Sequence, residues 1–136
     1  MIDFEALGQL LIDAKIKNVT YNTMPQNVSK GVCLRSNISG DKINYEIPGL
    51  GRGEFRLFTR ATSVRESEAL LMKAINIIAV NGKPKQVGRM RVRYCLPITS
   101  PMSFPVSDGN LRESSVTMAI CYDFSTDGLS WLNPNQ

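Results

Sequence analysis

Lys83, Lys85, Arg89, Arg91 and Arg93 fall within eleven residues that contain no acid, the densest group of basic side chains in this sequence. On an extended strand alternate residues share a face, so Arg89, Arg91 and Arg93 are predicted to stand in a row, about 7 Å from one to the next. Such a row can follow a phosphate backbone or oppose acidic groups across an interface. It equally fits a solvated sheet face paired with Glu54 or Glu113. Aromatic interleaving for base stacking is missing, which argues against sequence-specific nucleic-acid recognition. Acid–base chemistry has little to work with. The chain lacks histidine, which removes the commonest general base, the Ser-His and Cys-His pairs and most catalytic zinc sites. Its twelve acidic residues are scattered, and none falls on a predicted apolar face where burial would retune it. The sequence therefore predicts no enzyme, with no catalytic, cofactor-binding or metal-ligating residues.

Gly49, Gly51 and Gly53, interrupted by Leu50 and Arg52, superficially resemble a phosphate loop. A phosphate loop needs a strand before it and a helix N-terminus after it, whereas this cluster runs into another strand and lacks the Lys-Ser/Thr pair. It reads instead as a hairpin tip over Pro48 to Gly53, with Arg52 exposed and Leu50 available to dock on a neighbour. Cys33, Cys95 and Cys121 form an odd set with no close pair, each in a strand-like stretch. They are predicted to be reduced packing residues, neither a disulfide framework nor a zinc site. Trp131, the single tryptophan, sits in a polar tail. It can fold back on its own domain or anchor on another subunit.

These residues must be positioned by secondary structure, and the hydrophobic periods are clear. Phe4, Leu7, Leu11 and Ala14 recur at helical spacing, with Asp3 and Glu5 near the start and Lys15 and Lys17 near the end. Short β-favouring runs follow at Asn18 to Asn22, Gly31 to Ser36, Lys42 to Ile47 and Gly53 to Ala61. In the last of these, Phe55, Leu57, Thr59 and Ala61 share one face, opposite Glu54, Arg56, Phe58 and Arg60. Ser63 and Glu66 form a capping box, in which the hydroxyl accepts from the third helical amide and the carboxylate reaches back to the cap amide. The helix it opens carries Leu70, Leu71, Ala74, Ile75 and Ile78, with Asn81 and Gly82 as a left-handed stop. Val87 to Pro97 reads as one strand, with Met90, Val92 and Tyr94 opposite the three arginines. Pro97, Pro101 and Pro105 then impose an irregular connection through to Asn110. Arg112 to Phe124 alternates strictly, with Ser114, Val116, Met118, Ile120, Tyr122 and Phe124 on one side.

At 136 residues and 43% hydrophobic content the chain fits one core. The expected class is α+β, a mixed or mostly antiparallel sheet packed by two helices in a single domain over residues 1–124, followed by a tail over 125–136. A net charge of +4 permits an acidic or nucleic-acid partner without requiring one. The N-terminus opens directly on an amphipathic segment, and no run approaches the ~20 apolar residues of a membrane span. The acceptor triplets at Asn18, Asn27 and Asn37 are therefore read as chance matches, in a protein made in a reducing cytoplasm.

In this order, "GEFRLFTRATSVRESEALLMKAINIIA" and "LPITSPMSFPVSDGNLRESSVTMAICYDF" resemble the phage tail terminator group, within the minor capsid or minor tail proteins. The resemblance spans about Met1 to Phe124 and carries no catalytic motif. It implies an α/β subunit that closes a hexameric ring at the head-proximal end of the tail tube, stops tube growth and supports head–tail joining. The implied partners are copies of itself, the tail tube protein and the connector or portal-side proteins, with possible non-specific contact with DNA in the lumen and no membrane. The implied location is the virion tail or neck, after assembly in the host cytoplasm. Leu50, Arg52, Arg89, Arg91, Arg93 and Trp131 are then the expected interface residues. A head-completion or stopper protein is the neighbouring alternative, and a small basic nucleic-acid-binding domain the alternative of another class.

Overall fold

A computed structural model describes residues 2–25, 27–36, 42–43, 50–105 and 111–123. In chain order the elements are α1 (Phe4–Asp13), β1 (Val19–Tyr21), β2 (Gly31–Ser36), β3 (Lys42–Ile43), β4 (Leu50–Ala61), α2 (Val64–Ile78), β5 (Lys85–Val87), β6 (Met90–Pro97), β7 (Met102–Pro105) and β8 (Arg112–Asp123). The expected α+β class holds: the sheet is mixed and mostly antiparallel, with β1–β2 its parallel pair.

The two long strands set the architecture. β4 and β8 pair antiparallel over all twelve residues, from Leu50 opposite Asp123 to Ala61 opposite Arg112. Along the free side of β4 lie β3 and then β2, with β1 outside β2, and along the free side of β8 lie β6 and β7, with β5 outside β6. Alternation does the rest. Val32 and Leu34, Phe55 and Leu57, Val116 to Tyr122 at every second position, Met90, Val92 and Cys95 all turn to one face. That face meets Leu7 and Leu11 of α1 and Leu71, Ala74, Ile75 and Ile78 of α2 in one apolar cluster. Phe4 sets its ring edge-on to Phe55 at 5.7 Å between centroids. Both helices thus cover a single face of the sheet.

The helix ends follow local chemistry. Asp3 caps α1 by accepting from the Ala6 amide. At the other end Lys15 takes φ of 67°, its amide donating to the Ile12 carbonyl and the Ile16 amide to the Leu11 carbonyl, the paired bonds of a Schellman motif. Ser63 caps α2 by accepting from the Glu66 amide, but the Glu66 carboxylate accepts from the Thr62 hydroxyl at 3.0 Å where the cap amide was expected. α2 also ends earlier than its expected stop. Ala79 leaves the helix in extended backbone, so that Val80 can exchange both amide bonds with Cys95, and Gly82 serves the turn beyond.

Four further expectations need correction. The strand expected from Val87 splits, because Gly88, with φ of 59°, and Arg89 make a two-residue hairpin turn between Val87 and Met90. The register of β6 shifts between Val92 and Tyr94, so Arg93 is an extra residue and Tyr94 leaves the core face it was assigned. The connection expected through to Asn110 contains β7, an outermost strand on which Pro105 is tolerated. β4 begins at Leu50, where a hairpin tip was expected. Residues 44–49, 106–110 and 124–136 lie outside the described residues, and with them Pro48 and Gly49 of the expected tip, the tail and Trp131.

Candidate functional site

The face of the sheet away from the helices carries an unusual row of cations. β2, β4 and β8 place residues opposite one another there as Arg35, Arg56 and Thr117, and in the next rows as Cys33, Phe58 and Ser115, then Gly31, Arg60 and Glu113. Arg35 and Arg56 are therefore direct cross-strand neighbours, a like-charge pairing that a sheet normally avoids. The Arg35 guanidinium lies 5.9 Å from the Phe58 ring centroid, within cation–π range, and its Nε donates to the Asn22 carbonyl at 3.1 Å. Arg56 is exposed, and among the described residues it has no hydrogen-bonding or ionic partner.

Arg60 differs from its neighbours. It is 7% exposed, and its Nη1 donates to the carbonyls of Pro25 at 2.9 Å and Val28 at 3.1 Å. A parallel pair such as β1–β2 requires a crossover, and these two bonds hold that crossover against the outer face. Glu113 approaches Arg60 only to 3.8 Å, and Arg60 Nε is buried with no hydrogen-bond partner among the described residues. Two adjoining cavities of about 320 and 620 Å³ open here and share Thr23, Arg35 and Arg56 in their walls.

Of the sequence-predicted residues, Arg52, Arg91 and Arg93 occupy the far end of the same face, and Trp131 lies outside the described residues. Arg52 lies opposite Cys121, and Arg91 opposite Asp123, both exposed. Arg93, at the bulge, donates from Nε to the Asp123 carboxylate at 3.2 Å. Both partners are solvated, so the pair contributes little to stability. Arg89 sits in the hairpin turn, outside the strand row expected for it. Leu50, expected as an exposed hook, is 4% exposed within β4. The cluster of Arg35 with Arg56 and Arg60 was missed because it arises from the pairing of β2 with β4, which one strand's alternation cannot reveal. The signal available was the placing of Arg56 and Arg60 with Phe58 on the non-core face.

Thr59, Ser67 and Ser114 are fully buried at one end of the helix-covered face. Thr59 Oγ1 donates to the Ser67 carbonyl at 2.7 Å, and the Ser67 and Ser114 hydroxyls meet at 2.7 Å. Ser103 extends the chain, reaching Ser114 at 2.9 Å and donating to the Glu68 carboxylate at 2.9 Å. With Thr59, Ser67 and Ser114 buried and Ser103 exposed at the outer end, these hydroxyls join α2 to β4, β8 and β7. The three cysteines are free and buried, as expected of packing residues. Burial pushes the Cys95 thiol up to about 12, and burial also raises Cys33 against the smaller opposing effect of a hydrogen bond with Thr20. Among the described residues no three His, Cys, Asp or Glu side chains gather in a metal-binding arrangement, and no helix is long and apolar enough to cross a membrane.

No protein-family model matches this chain, and no curated protein does. Among solved structures it is similar to a chain of the "Virion of native gene transfer agent (GTA) particle". The likeness covers 86% of this chain and 84% of that one, at a TM-score of 0.54 and 14% identity, and it shows a shared fold.

Proposed function

We propose that this chain is a structural virion protein, a tail terminator subunit that closes a ring of six copies on the head-proximal end of a phage tail tube. The observation that carries the reading is the fold shared, over nearly the whole of both chains, with a component of a gene transfer agent virion. The order of helix, strand, capped helix and closing strands, which resembles the tail terminator group, narrows that reading to the end of the tail. Capping is a matter of geometry. A heterologous interface closes after six copies, and the ring matches the tube on one side while presenting a different surface on the other. The outward arginines Arg52, Arg91 and Arg93 are the proposed contacts of the ring or its lumen, and residues 125–136 with Trp131 a proposed clamp on a neighbouring subunit.

Electron microscopy of particles assembled without this protein tests the reading. Overlong or unjoined tails are the expected result. Joined tails of normal length would overturn it, and heads that lose DNA would move the protein to a stopper position on the portal side.

A further inference from the structure

We propose that the helix-free sheet face around Arg35, Arg56 and Arg60 is a docking groove for an acidic, extended segment of a partner protein. The observations are independent of one another. Register sets Arg35 directly opposite Arg56, and neither has an acid in its cross-strand row. Two like charges so placed destabilise the free sheet, and a carboxylate laid between them removes the repulsion. Planar guanidinium groups suit this task, since each can hold a carboxylate through two parallel hydrogen bonds. Arg60 adds a third cation that is nine-tenths buried and, among the described residues, one acceptor short, with Glu113 at 3.8 Å. The two cavities that share Arg35 and Arg56 provide a continuous depression, with Phe58 and Met24 as apolar wall.

Charge favours a peptide over a nucleic acid here. Glu54, two residues before Arg56 on the same face of β4, and Glu113, opposite Arg60, stand in the cavity walls, where they repel a continuous phosphate backbone. A peptide can place single carboxylates against Arg35 and Arg56 and neutral or basic residues against Glu54 and Glu113. The groove is a property of the single subunit, and its occupation does not depend on ring closure or on a position in a virion.

Fluorescence anisotropy with the intact purified protein tests this inference. The probe is a labelled glutamate-rich decapeptide, compared with its glutamine counterpart and with a short single-stranded DNA of equal length. The expected result is salt-sensitive binding of the acidic peptide, at least tenfold weaker for the glutamine peptide. Arg56→Gln, which breaks no hydrogen bond or ion pair with described residues, should weaken binding at least tenfold while the thermal midpoint stays the same or rises, because repulsion with Arg35 is relieved. Arg35→Gln should weaken binding similarly and serves as the second variant. Equal binding of the two peptides, or undiminished binding in both arginine variants, would overturn the proposal. So would tighter binding of the DNA that both substitutions abolish, which would assign the face to nucleic acid.

Discussion

Gly88 shows how much of this molecule rests on one small residue. Its φ of 59° is the left-handed conformation that a two-residue hairpin turn requires, and the turn also lies against the start of α1. A Cβ placed there would meet the Ala6 methyl and come within 2.7 Å of Asp3 Oδ2, the carboxylate that caps the helix. Gly88→Ala therefore combines backbone strain with a clash, and we expect a loss of about 2–4 kcal/mol in urea unfolding. Cys95 is sensitive to pH in a defined direction. The folded thiol keeps its proton to about 12, against 9.0 for the ordinary group, so the unfolded chain binds fewer protons between those values. Its contribution is intact below about pH 9 and is lost as pH rises toward 12, by up to about 1.4 kcal/mol per pH unit. Unfolding free energies measured from pH 8 to 10.5 should fall more steeply for the wild type than for Cys95→Ala. Parallel curves would show that the thiol does not set the slope.

Elements were legible in the sequence wherever alternation or helical period ran unbroken. β2, the inner faces of β4 and β8, and both helices follow directly from where the apolar residues fall, because burying one face requires that spacing. What escaped reading were interruptions that leave no trace in composition. The extra residue at Arg93 is an ordinary arginine among arginines, yet it turns Tyr94 outward and places Cys95 inward. The prolines around β7 suppressed a strand whose position at the sheet margin makes them acceptable. The groove was hidden for a related reason, since Arg35 and Arg56 are distant in sequence and become neighbours only through register. One consequence at this scale can be measured through the buried hydroxyls that tie α2 to the sheet. Ser67→Ala leaves the Ser114 hydroxyl with fewer partners in a dry environment, and we expect a cost of about 1–3 kcal/mol. An unchanged urea midpoint would mean that the hydroxyl chain contributes nothing net.

For the whole molecule, the two faces of the sheet divide the work: one is consumed by α1 and α2, and the other is left to arginines and the β1–β2 crossover. Arg91→Glu places a carboxylate opposite Asp123 on that free face, which should cost the fold less than about 1 kcal/mol. Particle yield and infectivity should nevertheless fall if the arginine end takes part in assembly, and an unchanged yield would remove Arg91 from the proposed contacts. The pairing scheme carries a further implication. Among the described residues, every strand at the margin of the sheet, β1, β3, β5 and β7, is only two to four residues long. Such stubs offer little backbone for stray strands to zip onto, so crowding many copies together should not seed fibrils. Contacts between molecules are thereby left to side chains, which ionic strength and single substitutions can weaken by degrees.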